Sequence, residues 1–174
     1  MKKIIPGLLF LFLLTGCQSI HKDGPPLFPR NVTHIPNAVP KSEAHSPRGN
    51  KPYEVFGQKY HPLKSSKNYK ESGLASWYGR KFHGNKTSSG EPYDLYGMTA
   101  AHRTLPLPTY ARVTNTHTGK SIIVKINDRG PFHSNRLIDL SYAAARKLGI
   151  YGQGTGHVTV EAIDPTNMTK NPIK

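Results

Sequence analysis

Few acidic residues occur in the second half of the chain, and two of them stand where a carboxyl group can meet a ligand. Between positions 73 and 164 there are six, namely Glu91, Asp94, Asp128, Asp139, Glu161 and Asp164. Glu91 in SSGEPYD and Asp128 in INDRGPF are each flanked by glycine and proline of a predicted turn. A carboxyl group presented by a turn can act as a general acid or base. It can equally cap its turn, and Arg129 then offers Asp128 a structural partner.

The other four acids have simpler interpretations. Glu161 and Asp164 end the last predicted strand, where solvent or a cation meets them. Asp139 precedes a predicted helix start, where a negative charge suits the helix dipole. Asp94 belongs to a loop. The two turn acids therefore remain as the candidates for chemistry.

Three further side chains can belong either to a site or to the core. His102 in TAAHR can orient a carboxyl group, although a satisfied strand histidine is the better interpretation of the residue alone. Trp77 and Tyr78 in ASWYG can line a groove or pack inside the domain. The residues by themselves leave both alternatives open.

Metal and phosphate chemistry are not indicated by the sequence. None of the nine histidines forms an H-x-x-x-H pair, and the chain has one cysteine, so the common zinc-ligand patterns do not occur. The stretch GQGTG at 152–156 lacks the lysine of a phosphate-binding loop, and there is no G-x-S-x-G nucleophile motif. We expect no metal and no cofactor.

The elements that must position these residues are predicted to be short strands. Residues 110–116 and 121–127 alternate in hydrophobicity and are joined by the turn sequence HTGK. GLASWYG at 73–79 and GHVTVEAI at 156–163 are predicted as further strands. Ser141 is a good N-cap for a helix over 142–148, with Gly149 as its end. This pattern predicts a mostly β protein, a small closed β-barrel with one short helix.

The first seventeen residues predict export and a lipid anchor. MKK is followed by eleven mostly apolar residues at 4–14, too few for the roughly 20 that span a bilayer. The segment is typical of a secretory signal. It ends in LTGC, which resembles a bacterial lipobox with small residues before the cysteine. We predict a signal peptide over 1–16 and lipidation of Cys17, the only cysteine.

Composition and charge limit the class of protein and its partners. The 174 residues include 16 glycines and 15 prolines, and only 36% are hydrophobic. A polytopic membrane protein, a zinc ribbon and a disulfide-stapled miniprotein are excluded. The formal charge of +14, or +12 without the two leader lysines, favours an anionic partner. Export removes most nucleic acid from consideration and leaves anionic lipid, lipopolysaccharide or the cell-wall polymer.

Composition also divides the chain into segments. Seven prolines fall between positions 25 and 52 without a strand or helix period, so residues 17–52 are predicted to be a disordered linker that reaches from the membrane. Residues 53–72 are richer in aromatics and are interpreted as an arm that packs on the domain. The barrel is predicted over 73–164 and a tail over 165–174.

Five motifs in order, GLASWYG, TSSGEPYD, MTAAHRTLPLPTYARVTN, INDRGPF and RLIDLSYAAARKLG, resemble the rare lipoprotein A (RlpA) family. The resemblance covers roughly residues 53–163. It implies a six-stranded double-psi β-barrel with one or two short helices. It also implies a lytic transglycosylase that cleaves the β-1,4 bond between MurNAc and GlcNAc in peptidoglycan glycan strands. Products would be 1,6-anhydromuramyl sugars, and strands stripped of stem peptides would be preferred.

Specific roles are implied by the same resemblance. Asp128 would be the acid and base, with Glu91 stabilising charge in the transition state or exchanging roles with it, and His102 assisting as the third catalytic residue. The remaining groove candidates are substrate-binding Trp77, Tyr78, Arg129 and Asn127, with Phe82, Thr87 and Ser89 of lesser weight. Arg129 would either steer muramyl carboxylates or hold the aspartate.

The sequence leaves two other functions open besides glycan cleavage, and it also supports expectations about location, length and oligomeric state. An expansin-like module binds peptidoglycan without cleaving it, and a structural tether links membrane to wall without needing the acids. Gln18 after the cysteine, where aspartate commonly signals inner-membrane retention, implies the outer membrane, with the barrel facing the periplasm. Longer family members carry a C-terminal sporulation-related repeat domain, and we expect a short form without it. We also expect a monomer.

Overall fold

The computed structural model describes residues 23–133 and 135–168. The predictions for the signal peptide, Cys17 and residues 169–174 lie outside this part of the chain. The strands are β1 (Tyr53–Val55), β2 (Gln58–Tyr60), β3 (Lys70–Tyr78), β4 (Thr99–His102), β5 (Thr109–Asn115), β6 (Ser121–Asp128), β7 (Arg136–Ser141) and β8 (Gly156–Ile163). The helices are α1 (Tyr142–Leu148) and α2 (Pro165–Met168), with 3₁₀ turns at Arg80–Phe82 and Tyr151–Gln153.

Six of the strands close into a barrel in the order β3-β7-β4-β6-β5-β8. The pairs β3–β7 and β4–β6 are parallel, and the other four pairs are antiparallel. Closure pairs every strand on both sides, so no edge of the barrel is left unpaired. The prediction of a mostly β, six-stranded double-psi barrel is confirmed.

Alternation along the strands fills the barrel. In β6 the side chains of Ile122, Val124 and Ile126 are all buried, as their spacing predicts. Helix α1 packs on the barrel with its alanines and Leu148 fully buried. The predicted helix ends are confirmed: the Ser141 hydroxyl accepts a hydrogen bond from the amide of Ala144, and Gly149 adopts a left-handed conformation with φ 85°.

Strand β7 and the β1–β2 hairpin were not predicted from the sequence. Strand β7 lies where the chain was interpreted only as the approach to α1, so Asp139 precedes the helix cap Ser141, as predicted, and also belongs to the sheet. The β1–β2 hairpin forms within the predicted arm and carries the stacked rings of Tyr53 and Tyr60, whose centroids are 5.1 Å apart. Both elements contribute residues to the region around Asp128.

The proline-rich segment differs from the expectation of a free linker in the part that the structure describes, residues 23–52. It contains no helix or strand, yet it lies along the barrel. The amide of Ala38 donates to the carbonyl of Ile123 at 3.0 Å, and the amide of Ser46 donates to that of Leu107 at 2.7 Å. Val32 is buried in the core. Backbone amides of this irregular segment thus donate hydrogen bonds to backbone carbonyls of the barrel instead of to water.

The described helices are short, and none is long and apolar enough to cross a membrane.

Candidate active site

A groove of about 290 Å³ opens beside the ends of β3, β6 and β7. The predicted residues Trp77, Tyr78, Asp128 and Arg129, with Phe82 of lesser weight, line it together with Asp139, which was not selected. Ala101 of β4 explains the pairing of the two acids, because it is the register partner of Asp128 on β6 and of Asp139 on β7. With adjacent strands about 4.8 Å apart, the two aspartate Cα atoms lie roughly 10 Å apart across β4.

Asp128 is both a turn cap and a groove residue. Its Oδ1 atom accepts hydrogen bonds from the amide of Ser88 at 2.8 Å, the hydroxyl of Ser88 at 2.7 Å and the amide of Arg129 at 2.8 Å. These contacts fasten the 88–90 loop to the end of β6 and fix the orientation of the carboxylate. Among the described residues these hydrogen bonds all use Oδ1, which leaves Oδ2 for a ligand in the groove.

Asp139 is the acid that sequence reasoning missed. Its Oδ1 accepts a hydrogen bond of 2.6 Å from the Ser76 hydroxyl, and the Arg136 guanidinium lies 3.5 Å away. Burial raises the pKa of the Asp139 carboxyl above its ordinary 3.8, and the Ser76 bond and the Arg136 charge only partly offset it. The alternation I-D-L around position 139 was the available signal, since it turns the carboxyl away from the face that holds Ile138 and Leu140.

Glu91 does not line this groove. Its carboxylate accepts hydrogen bonds from Lys125 Nζ at 2.6 Å and from the Asn127 amide at 2.7 Å. Lys125 also contacts Glu43 at 3.0 Å, and Tyr110 donates to Glu43 at 2.5 Å. Although partial burial opposes ionisation, the Lys125 and Asn127 bonds and the Lys125 charge hold the pKa of Glu91 below its usual 4.5. We call Glu43, Glu91, Tyr110, Lys125 and Asn127 the Lys125 cluster.

Asn127 belongs to the same cluster rather than to the groove. The residue is buried, and its amide nitrogen is committed to Glu91. Its Oδ1 atom is buried and has no hydrogen-bond partner among the described residues. The sequence placed Asn127 beside Asp128, but alternation along β6 turns the two side chains to opposite faces.

His102 lies inside the protein with only 3% of its surface exposed. Its Nδ1 accepts from the amides of Thr104 at 3.2 Å and Leu105 at 3.0 Å, so the ring proton is on Nε2, 2.9 Å from the Tyr69 hydroxyl. Burial first, and the charges of Arg103 and Arg129 second, lower its pKa to about 3. A neutral ring with both nitrogens occupied holds the 103–105 turn, which corrects the expectation that His102 contacts a carboxyl group or a ligand.

Arg129 is likewise an internal residue, with 9% of its surface exposed. Its guanidinium donates to the carbonyls of Gly49, His102 and Leu105 and to the side chain of Asn50, at 2.6 to 3.1 Å. These bonds use all five N–H groups. The side chain therefore neither pairs with Asp128 nor steers a ligand, and only its backbone amide touches the aspartate.

The two predicted aromatic residues combine core packing with groove lining. Trp77 packs against Tyr151 and Tyr142, with ring centroids 5.1 and 6.1 Å apart. The Tyr78 ring lies 4.2 Å from that of Tyr93. The Tyr78 hydroxyl is buried, and burial raises its pKa well above 10.0. Trp77 and Tyr78 therefore pack in the interior with one part of the ring surface and line the groove with another.

A metal centre finds no support in this geometry. Within residues 23–133 and 135–168, no three His, Cys, Asp or Glu side chains are grouped closely enough to hold an ion. The arrangement offers two aspartates with different surroundings beside an aromatic wall, which is suited to proton transfer at a sugar-sized ligand.

Comparison with known proteins agrees with these features. Residues 70–160 match the family model described as lytic transglycolase. An endolytic peptidoglycan transglycosylase RlpA of Vibrio cholerae is 50% identical over 98% of this chain and 67% of its own length. The chain belongs to the RlpA family. The RlpA of Pseudomonas aeruginosa is 57% identical over 83% of this chain and 42% of its own length.

Residues 1–18 match the lipid attachment site of prokaryotic membrane lipoproteins, so this RlpA-family chain is a lipid-anchored protein of the cell envelope. Among solved structures, the Streptomyces papain inhibitor is 24% identical, with a TM-score of 0.46 over 55% of this chain and 96% of that protein. The chain spans about two thirds of the length of the Vibrio cholerae relative and less than half of the length of the Pseudomonas aeruginosa relative.

Proposed function

We propose that this protein is a peptidoglycan lytic transglycosylase whose chemistry takes place between Asp128 and Asp139. The observation that carries the proposal is the register of β4, which sets the two carboxyl groups on either side of Ala101 in one groove. The relatives are named peptidoglycan transglycosylases, which supports peptidoglycan as the substrate class. The bond that we propose is cleaved is the β-1,4 bond between MurNAc and GlcNAc.

Asp139 acts as the acid and then as the base. Because burial favours its protonated form, it holds a proton beside the groove at a pH at which an exposed aspartate has lost it. The proton passes to the glycosidic oxygen as the bond from the muramyl C1 breaks. The muramyl 6-hydroxyl oxygen then bonds to C1, and its proton returns to Asp139. No water is consumed, and the product is a 1,6-anhydro sugar.

Asp128 stabilises the positive charge that develops at C1 in the transition state. Its orientation is fixed by Ser88 and by the Arg129 amide, so little reorganisation is needed during the reaction. Trp77 and Tyr78 supply an apolar wall for a sugar ring. Glu91 and His102 act from behind the groove. Glu91 fastens the end of the 84–90 loop to β6 through Lys125, and His102 holds the turn that accepts the Arg129 hydrogen bonds.

The lipid anchor and the charge indicate where this reaction takes place. With Gln18 after the lipidated cysteine, we assign the protein to the outer membrane with the barrel in the periplasm. Its partners are glycan strands, with a preference for peptide-free ones, and it acts as a monomer.

The test is incubation of the mature chain with purified sacculi and with peptide-free glycans, followed by mass analysis for 1,6-anhydro sugars. We expect anhydro products from the parent protein and their loss in Asp139→Asn, with the barrel still folded by circular dichroism. Asp128→Asn should reduce turnover, and Glu91→Gln should reduce it less.

Full activity of Asp139→Asn together with loss of activity in Asp128→Asn would return the acid role to Asp128. Glycan binding without release of any product would favour the expansin-like alternative.

A further inference from the structure

A second and larger cleft adjoins the groove and shares Asp128, Arg129 and Phe132 with it. Its volume is about 600 Å³. The exposed cations Arg48 and Lys51, from the segment before β1, and Lys86, from the 84–90 loop, line it. Asp128 is the one acid among the described residues that line it. We call this space the basic cleft.

The three cations of the basic cleft are exposed and unneutralised. None of them forms an ion pair with a carboxylate in the described part of the chain. Lys125 shows the contrast, because two glutamates contact it at 2.6 and 3.0 Å. Three like charges around one opening repel each other in the empty protein, and an anionic ligand relieves that repulsion.

The backbone that carries Arg48 and Lys51 is held in place. Between them, Gly49 and Asn50 accept hydrogen bonds from the buried Arg129 guanidinium, and Asn50 also bonds the amide and carbonyl of Leu107. Gly49 approaches the barrel so closely that a Cβ atom there would lie 2.9 Å from the Ser88 carbonyl oxygen. The charges are therefore presented by a rigid segment, which lowers the entropy cost of binding.

An aromatic wall completes the basic cleft. The Tyr53 ring stacks on Tyr60 and lies 6.0 Å from Phe132, edge to face. Aromatic faces beside fixed charges suit a ligand that is a sugar with an acidic substituent.

We propose that the basic cleft binds the lactyl carboxylates of muramyl residues on the side of Asp128 remote from Trp77. This inference rests on the proposed function. A MurNAc residue without a stem peptide carries a free carboxylate, and one with a stem peptide carries a neutral amide at the same atom. The basic cleft thus distinguishes a peptide-free MurNAc residue from one with a stem peptide by the charge on the sugar itself. It also extends the strand-binding surface beyond the groove.

The experiment compares two glycans that differ only at that group: peptide-free strands, and the same strands with the lactyl carboxyls converted to methylamides. Binding is measured by calorimetry on the mature chain with Asp139→Asn, which prevents turnover. The test variant adds Arg48→Gln, Lys51→Gln and Lys86→Gln. A control of equal charge adds Lys59→Gln, Lys64→Gln and Lys120→Gln at exposed positions outside both grooves.

We expect the parent and the control to bind the carboxylate strands roughly tenfold more tightly than the amidated ones, the combined effect of three solvent-exposed ion pairs. The test variant should bind both strands equally, and 0.5 M salt should weaken only the carboxylate preference. Lys86→Gln alone should lose part of that preference, which keeps the proposal testable if the triple variant does not fold.

Equal affinity of the parent for both strands, or an unchanged preference in the test variant, would overturn the proposal. Turnover is scored separately with the native Asp139. A parent that releases anhydro sugars but shows no carboxylate preference refutes the basic cleft alone, whereas preference without any product refutes the proposed reaction alone.

Discussion

Asp139 and Asp128 show how two identical side chains in one groove acquire different properties. Asp128 is held by three donors to one oxygen, whereas Asp139 is partly buried beside a single hydroxyl and a guanidinium. The environment of Asp139 favours retention of a proton, and the environment of Asp128 favours a fixed orientation.

Asp139 should therefore control the pH dependence of both activity and stability. A carboxyl whose pKa is raised by folding stabilises the native state most below its unfolded pKa, near 3.8, and this contribution is lost as pH rises through the higher folded value. We expect activity to fall above that folded pKa. Relative to Asp139→Asn, the parent should lose free energy of unfolding as pH rises through the same window.

The measurement is a pair of urea titrations at several pH values together with a pH–rate profile. Asp139→Asn should lower turnover by about 10²–10⁴-fold, the usual size of a general-acid effect. Parallel stability profiles for the parent and the variant would show that the burial of Asp139 has no consequence for its ionisation.

Among the individual groove residues, Asp128, Trp77 and Tyr78 could be predicted from the sequence, but Asp139 could not. The reason is that the two aspartates meet only through Ala101, on a strand more than twenty residues away from either of them. The contacts of Arg129 could not be predicted from the sequence either, because the partners of its guanidinium are backbone carbonyls of distant turns.

At the scale of elements, Arg129 joins three parts of the chain: the segment before β1, the turn after β4 and the end of β6. Arg129→Lys keeps the charge but cannot reach these carbonyls with five fixed donors. We expect a loss of about 2–4 kcal/mol in the free energy of unfolding, since several buried carbonyls lose their partners. Thermal melts followed by circular dichroism measure it.

The matched control is Arg48→Lys, at an exposed arginine of the same region, which should change stability by less than about 0.5 kcal/mol. Equal stability of Arg129→Lys and the parent would show that the clamp contributes little to the fold.

The elements that sequence predicted well are those with a local signal. Helix α1 and strand β8 have the predicted bounds, because a serine cap, a glycine stop and strict alternation mark them. The β1–β2 hairpin lacks such a signal: Phe56 and Gly57 form its turn with φ values of 51° and 76°, where Asn-Gly is the usual pair. Strand β7 alternates only over I-D-L at 138–140, because Leu137 and Ser141 on the other face are buried as well.

At the scale of the whole molecule, the docked proline-rich segment shortens the tether. Asp23 caps the 3₁₀ turn at residues 80–82, accepting from the amides of Gly79 at 3.1 Å and Lys81 at 3.2 Å. Only residues 18–22 separate it from Cys17. Six residue steps span at most about 21 Å, so docking holds this end of the barrel near the membrane surface.

This geometry predicts that Leu27 and Phe28, which are 73% and 86% exposed, contact the lipid. Arg80 lies beside them, since it donates to the carbonyl of Pro25 at 3.0 Å, and it can meet anionic headgroups. The predicted lipidation of Cys17, the only cysteine, would block its sulfur, so a cysteine at position 28 could be labelled selectively with an environment-sensitive fluorophore. In proteoliposomes the label should be protected from iodide quenching.

Phe56→Cys provides the matched control, because Phe56 is 78% exposed on the β1–β2 hairpin and belongs to no part of the docked segment. Its label should stay accessible to iodide. Gly79→Ala tests whether docking of the proline-rich segment keeps position 28 at the membrane. A Cβ atom at position 79 would lie 2.1 Å from the Gly24 carbonyl oxygen and must displace the segment. Loss of this contact lengthens the free chain between Cys17 and the next docked residue, Val32, so the label at position 28 should become more accessible to iodide than in the parent. Equal quenching at both positions in the parent would show that the barrel stands away from the membrane.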